Sequence, residues 1–135
     1  MHLTHFQCRG FRCLADVAMT PRAGINIIRG DNAQGKTSIL EAVLFAATSK
    51  SHRTSLENDL VCHGQDQFHI RLTARRKDST ITTEANWWQG AKRFKVNGIA
   101  QGRVSEILGR ISVVLFSPED VDLIKGTAAI RSRFL

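Results

Sequence analysis

Gly30-Asp31-Asn32-Ala33-Gln34-Gly35-Lys36-Thr37 has the spacing G-x-x-x-x-G-K-[ST] of a phosphate-binding loop. Such a loop ends a strand, wraps backbone N–H groups around an anion and opens a helix whose positive end faces that anion. Gly30 and Gly35 permit the sharp turns and close backbone approach that a Cβ obstructs. Lys36 reaches the β- and γ-phosphates as a point charge, and the Thr37 hydroxyl is placed to ligate the Mg²⁺ that bridges them. The bland alternative is a Gly-containing strand-to-helix turn that binds nothing.

Immediately outside the loop the pattern is that of an α/β unit. Gly24-Ile25-Asn26-Ile27-Ile28-Arg29 is β-branched and bounded by glycines, which predicts a short buried strand feeding the loop. From Thr37 to Thr48 the apolar residues Ile39, Leu40, Val43, Leu44 and Ala47 recur at the helical period. This helix is apolar around most of its circumference, as one packed on a sheet should be.

The 135 residues suffice for one domain. The longest apolar run, Val113-Val114-Leu115-Phe116 with Ile111 before it, is too short to span a bilayer. Residues 1–20 lack the apolar core of a signal peptide. Cys8, Cys13 and Cys62 form no metal-ligand spacing with the histidines and read as reduced thiols of a cytoplasmic protein. Lys and Arg outnumber acids by 19 to 12, for a net charge of +7. That balance fits a polyanionic partner, most commonly nucleic acid, or a solvated basic surface.

Upstream, residues 2–8 and 14–20 read as two short strands around a turn at Arg9-Gly10-Phe11-Arg12. After the helix, Ser49-Lys50-Ser51-His52-Arg53-Thr54-Ser55 is a polar, basic loop, suited to a contact with nucleotide or nucleic acid or to simple solvation. Three antiparallel strands follow in the alternation of Phe68, Ile70, Leu72 and Ala74, then Ile81, Thr83, Ala85 and Trp87, then Phe94 and Val96. Asn97-Gly98 is a hairpin turn signal leading into Ile99. With the apolar set facing a core, the other face carries Arg71, Arg75, Arg93 and Lys95, with Arg76, Lys77 and Lys92 at the ends. Of these, Arg71, Arg75, Arg76, Lys77, Arg93 and Lys95 are the candidate DNA-backbone contacts.

Residues 103–109 suggest a short helix, and Ile111 to Phe116 a central strand covered on both faces. Ser117-Pro118-Glu119-Asp120 has the features of a helix start, with Ser117 as cap and Pro118 in the first position. Glu119 and Asp120 therefore read as helix-terminal charges rather than as the Mg²⁺-binding acids of a Walker B strand. The chain ends inside a further helical pattern, which reads as a truncated domain. The expected organisation is one domain over 1–135: strands, phosphate loop and first helix in 1–66, an antiparallel β section in 67–101, and helix, buried strand and helices in 102–135.

Several motifs in order now support a resemblance: Phe11-Arg12, the loop at 30–37, Lys50-Ser51-His52-Arg53-Thr54-Ser55, Val96-Asn97-Gly98, Val113 to Asp120, and Arg131-Ser132-Arg133-Phe134-Leu135. Together they resemble the bacterial RecF family of recombination mediators and replication-repair proteins. The match runs along the whole chain and covers only the N-terminal part of that longer family. Ala33 stands where the family usually has Gly, and Ser38 where Asn is common.

The resemblance implies a P-loop NTPase of the ABC-ATPase head type, like those of SMC proteins, with an antiparallel β subdomain beside the nucleotide core. It implies a head that binds ATP and Mg²⁺, forms an ATP-dependent homodimer on DNA at gaps or single-strand/double-strand junctions, releases by slow hydrolysis, and works with other recombination mediators. The ATP site would comprise Gly30, Asp31, Asn32, Ala33, Gln34, Gly35, Lys36, Thr37 and Ser38, with Arg12 approaching the base or phosphates. The signature motif, Walker B acids and catalytic carboxylate are expected beyond Leu135, so no catalytic residue is assigned here. The alternatives are a small phosphotransferase acting on nucleotides or metabolites, or a non-hydrolysing nucleotide-binding piece.

Overall fold

A computed structural model describes residues 1–118. Six antiparallel strands form one sheet: β1 (His2–Phe11), β2 (Leu14–Met19), β3 (Gln67–Arg76), β4 (Ser79–Trp88), β5 (Ala91–Val96) and β6 (Ile99–Gln101), in the spatial order β2-β1-β3-β4-β5-β6. Among the described residues one α-helix, α1 (Lys36–Thr48), lies across β1, β3 and β4.

Strand alternation decides which face α1 covers. Phe6 and Cys8 of β1, Phe68, Ile70, Leu72 and Ala74 of β3, Thr83, Ala85 and Trp87 of β4, and Phe94 and Val96 of β5 are all buried. The helix answers with Ile39, Ala42, Phe45 and Ala46. Phe45 sits at the centre, with ring centroids 6.2 Å from Phe11, 5.3 Å from Phe68 and 6.2 Å from Phe94. Phe68 also stacks on Trp87 at 6.2 Å. Each fully buried ring contributes about 2–3 kcal/mol relative to exposure, so this aromatic cluster is the main tie between helix and sheet.

The hairpins follow their turn chemistry. Asn97 (φ 49) and Gly98 (φ 80) join β5 to β6, and Gln89 (φ 47) and Gly90 (φ 82) join β4 to β5, both with the paired positive φ of a type I′ turn.

Four expectations need correction. The first turn is displaced: β1 continues to Phe11, and the chain reverses at Arg12-Cys13 because Phe11 is held in register with Leu14. Segment 103–109 forms a single 3-10 turn at Val104–Glu106, with Ile107 buried and Val104 and Leu108 exposed.

The predicted strand at 24–29 is not a strand, and Ile25 and Ile27 are 93% and 80% exposed. The predicted central strand at 111–116 is likewise unpaired, with Val114 97% and Phe116 77% exposed although Ile111 is buried. Both segments carry the side chains of a buried strand, but a strand exists only where a neighbour accepts its backbone hydrogen bonds. Among the described residues neither has one. The helix start at Ser117 and the assignment of Glu119 and Asp120 lie wholly or largely outside the described residues.

Candidate nucleotide site and basic sheet face

Gly35 adopts φ 91, ψ 9 and caps the N-terminus of α1. Its carbonyl accepts from Ile39 N at 3.0 Å, the first bond of the helix. No side chain caps this end, and its first turn holds no acid. The helix N–H groups are thus open to an anion. Ala33 also lies in the left-handed region at φ 62, so the loop imposes there the conformation that its Cβ disfavours.

Asn32, Ala33, Gln34, Gly35, Lys36, Thr37 and Ser38 line a cavity of about 540 Å³, together with Cys13, Arg53, Ser117 and Pro118. Gly30, Asp31 and Lys36 border a second, shallower hollow with Ile28 and Arg29. The Lys36 ammonium donates to the Gly30 carbonyl at 2.5 Å and also to the Asp31 carbonyl, which joins the two halves of the loop. Ser38 is buried, its hydroxyl 3.6 Å from Cys13 Sγ. Open helix N–H groups, the Lys36 ammonium and the exposed Thr37 hydroxyl are the donor set that suits nucleotide phosphates and their Mg²⁺. Among the described residues, no cluster of three or more His, Cys, Asp or Glu is arranged to hold a metal by itself.

Arg12 does not line this cavity. It borders an adjoining pocket with Cys13, Ser38, Arg53, Asp59 and Cys62, and its guanidinium is engaged with a buried acid. Arg12 Nη2 donates to Glu41 Oε1 at 2.8 Å and Nε to Glu41 Oε2 at 3.0 Å, while Nη1 donates to the Asp59 carbonyl at 2.9 Å. Glu41 is 0% exposed and also accepts from Ser51 Oγ at 2.5 Å, with Arg53 Nη1 3.6 Å away. Burial by itself pushes the Glu41 carboxyl up. The bonds from Arg12 and Ser51 and the charges of Arg12 and Arg53 outweigh it and hold the carboxyl below its ordinary value.

In the sequence Arg53 is one residue of a loop suited to nucleotide contact or to solvation, Cys13 reads as a reduced thiol, and Glu41 is not singled out. The signal for Glu41 was available as a charge set within the apolar stripe of the helix.

The uncovered face of the sheet carries the predicted cations. Register places Gln7, Arg71, Glu84 and Lys95 in one row across β1, β3, β4 and β5, and Arg9, His69, Asn86 and Arg93 in the next. Arg71, Arg75, Arg93 and Lys95 are exposed, and Arg76 and Lys77 stand at the β3–β4 hairpin. The face is not uniformly basic: Glu84 lies between Arg71 and Lys95 and is 3.3 Å from His69, and Arg9 pairs with Asp16 at 3.2 Å.

Among the described residues no helix is long and apolar enough to cross a membrane.

The chain is 41% identical over its full length to the DNA replication and repair protein RecF of Symbiobacterium thermophilum, and spans 36% of that relative. A solved structure of the recombination mediator protein RecF-ATP in the RecFOR pathway matches 98% of this chain and 37% of its own, at 33% identity and a TM-score of 0.88. A structure from work on ATP-driven dimerization and DNA-stimulated activation of SMC ATPases matches 98% of this chain at 19% identity and a TM-score of 0.82, a likeness of fold. The sheet, helix and loop are thus those of a P-loop head of the RecF and SMC type. The AAA domain family model matches residues 5–112, and the chain belongs to that family, resembling over its whole length the N-terminal third or so of RecF.

Proposed function

We propose that this chain supplies the nucleotide-holding half of an ATP-dependent DNA-binding switch used in recombinational repair and replication restart. The observation that carries the reading is the loop itself. A left-handed Gly35 opens α1 without a side-chain cap, beside a cavity lined by Asn32 to Ser38. ATP phosphates sit on the 30–38 loop, Lys36 neutralises them, and Thr37 holds the Mg²⁺.

DNA lies on the open face of the sheet, on Arg71, Arg75, Arg93 and Lys95, with Arg76 and Lys77 at the hairpin. The relatives, DNA replication and repair proteins by name, support DNA repair as the setting, and the likeness to ATP-driven SMC dimers supports an ATP-dependent homodimer as the DNA-bound form. Hydrolysis in the full-length protein is slow, releases the DNA, and draws its catalytic carboxylate from beyond Leu135. Other recombination mediators are the partners, in the cytoplasm.

Full-length protein and Lys36→Ala, compared by calorimetric titration with Mg·ATP, test the nucleotide half of this reading. Affinity should fall at least tenfold in the variant. Equal affinities would overturn it.

A further inference from the structure

The Glu41 carboxylate is shared between two loops that have no sequence relation to one another. Oε1 accepts from Arg12 Nη2 in the β1–β2 turn at 2.8 Å and from Ser51 Oγ in the loop after α1 at 2.5 Å. Oε2 accepts from Arg12 Nε at 3.0 Å and lies 3.6 Å from Arg53 Nη1. Each oxygen therefore takes one group from each loop, which fixes the separation of the two loops as well as their places.

The two arginines are not held alike. Arg12 makes a bidentate pair and is 20% exposed, whereas Arg53, at 3.6 Å, is an ion pair just beyond hydrogen-bond distance and is 45% exposed. One carboxylate facing two guanidiniums leaves this trio with one net positive charge. That charge falls on Arg53, which lines the cavity with Asn32 to Ser38. Ser51 Oγ in turn accepts from the N–H groups of Arg53 at 3.0 Å and Thr54 at 3.3 Å, so the bond to Glu41 orients the backbone that carries Arg53.

We infer that Glu41 is a positioning residue for nucleotide binding: it anchors Arg12 and Ser51 so that Arg53 stands, loosely held, at the wall of the phosphate-loop cavity. This rests on the nucleotide reading above. A buried charge with a full set of donors has one low-energy arrangement, so it fixes geometry more tightly than an apolar contact at the same place. Glu41 lies on α1, five residues after Lys36, so the helix that opens at the phosphate loop also carries the anchor of the opposing wall.

The test is Mg·ATP titration of the full-length protein in a double-mutant cycle, with Glu41→Gln, Arg53→Ala, the pair together, and Lys36→Ala as reference. Urea midpoints are measured alongside. Glu41→Gln should lower affinity about tenfold, and Arg53→Ala should lower it by a similar factor. The pair should lose no more than Arg53→Ala alone, because the anchor has no effect once its arm is gone. Wild-type affinity in Glu41→Gln, or losses that multiply in the pair, would overturn the inference while leaving the phosphate loop in place. Unchanged affinity in Lys36→Ala removes both. If Glu41→Gln fails to fold, Ser51→Ala takes its place, since it cuts the same link from the loop side. A several-fold loss that disappears in the Arg53→Ala background supports the anchor, and wild-type affinity overturns it.

Discussion

Gly35 and Leu14 stand so close that a Cβ built on Gly35 lies 2.7 Å from Leu14 Cδ2, with Cys13 Sγ at 3.0 Å. The second glycine of the loop is thus fixed twice over, by its left-handed backbone at φ 91 and by the β1–β2 turn packed against it. Gly35→Ala should destabilise the protein by about 2–5 kcal/mol, combining the left-handed penalty with overpacking. Urea unfolding gives the number. A loss below about 1 kcal/mol would show that neither the left-handed backbone nor the contact with Leu14 carries the expected cost.

Ala33 makes the opposite case. It is exposed at φ 62, with a Cβ that the backbone disfavours. Ala33→Gly should stabilise by about 0.5–1 kcal/mol, the left-handed penalty less the entropy glycine gains in the unfolded chain. A drop in the unfolding midpoint would show that the strain is absent.

Glu41 sets a pH dependence. Its folded-state carboxyl is held below the ordinary value, so its contribution is complete above the unfolded value of about 4.3. That contribution is lost as pH falls through the lower folded value. Stability measured from pH 7 to 3 should fall more steeply in wild type than in Glu41→Gln, and parallel curves would refute the assignment. Glu41→Leu, which strands Arg12 without its partner, should cost about 3 kcal/mol at pH 7.

The thiols should separate by reactivity. Cys8 is 0% exposed, and burial, with a smaller effect of Asp16, pushes its thiol up to about 12; Cys13 is exposed. At pH 8, site-resolved mass spectrometry should find Cys13 alkylated in the native protein and Cys8 only after unfolding. Because the Cys8 value is raised, its protonated form is favoured in the fold. The resulting stability is full below about 8.5 and declines as pH rises toward the folded value. Equal labelling rates at the two sites would contradict this burial.

The sheet face carries the remaining prediction. Reversing Arg71, Arg75, Arg93 and Lys95 to Glu in the full-length protein should weaken DNA binding and reduce the slope of log K against log salt by up to about 4, near 0.9 per lost phosphate contact. An unchanged slope in a filter-binding titration would take DNA off this face.

Local chemistry made much of this molecule legible from the sequence. The loop at 30–37 announces itself by spacing, because phosphate geometry demands glycines and a lysine at fixed places. The alternation from Phe68 to Val96 gave both the hairpins and the faces, since successive strand residues point to opposite sides. Asn97-Gly98 named its own turn. Only the tertiary structure decided the rest. Ile25, Ile27, Val114 and Phe116 have the composition of a sheet interior, but burial depends on a neighbour, and periodicity does not reveal whether the described residues supply one. Likewise Glu41, Arg12, Ser51 and Arg53 lie on three separate segments, and no local pattern says that one carboxylate will serve them all. Their meeting is a consequence of α1 crossing the sheet beside the β1–β2 turn, and it exists only once the chain has folded.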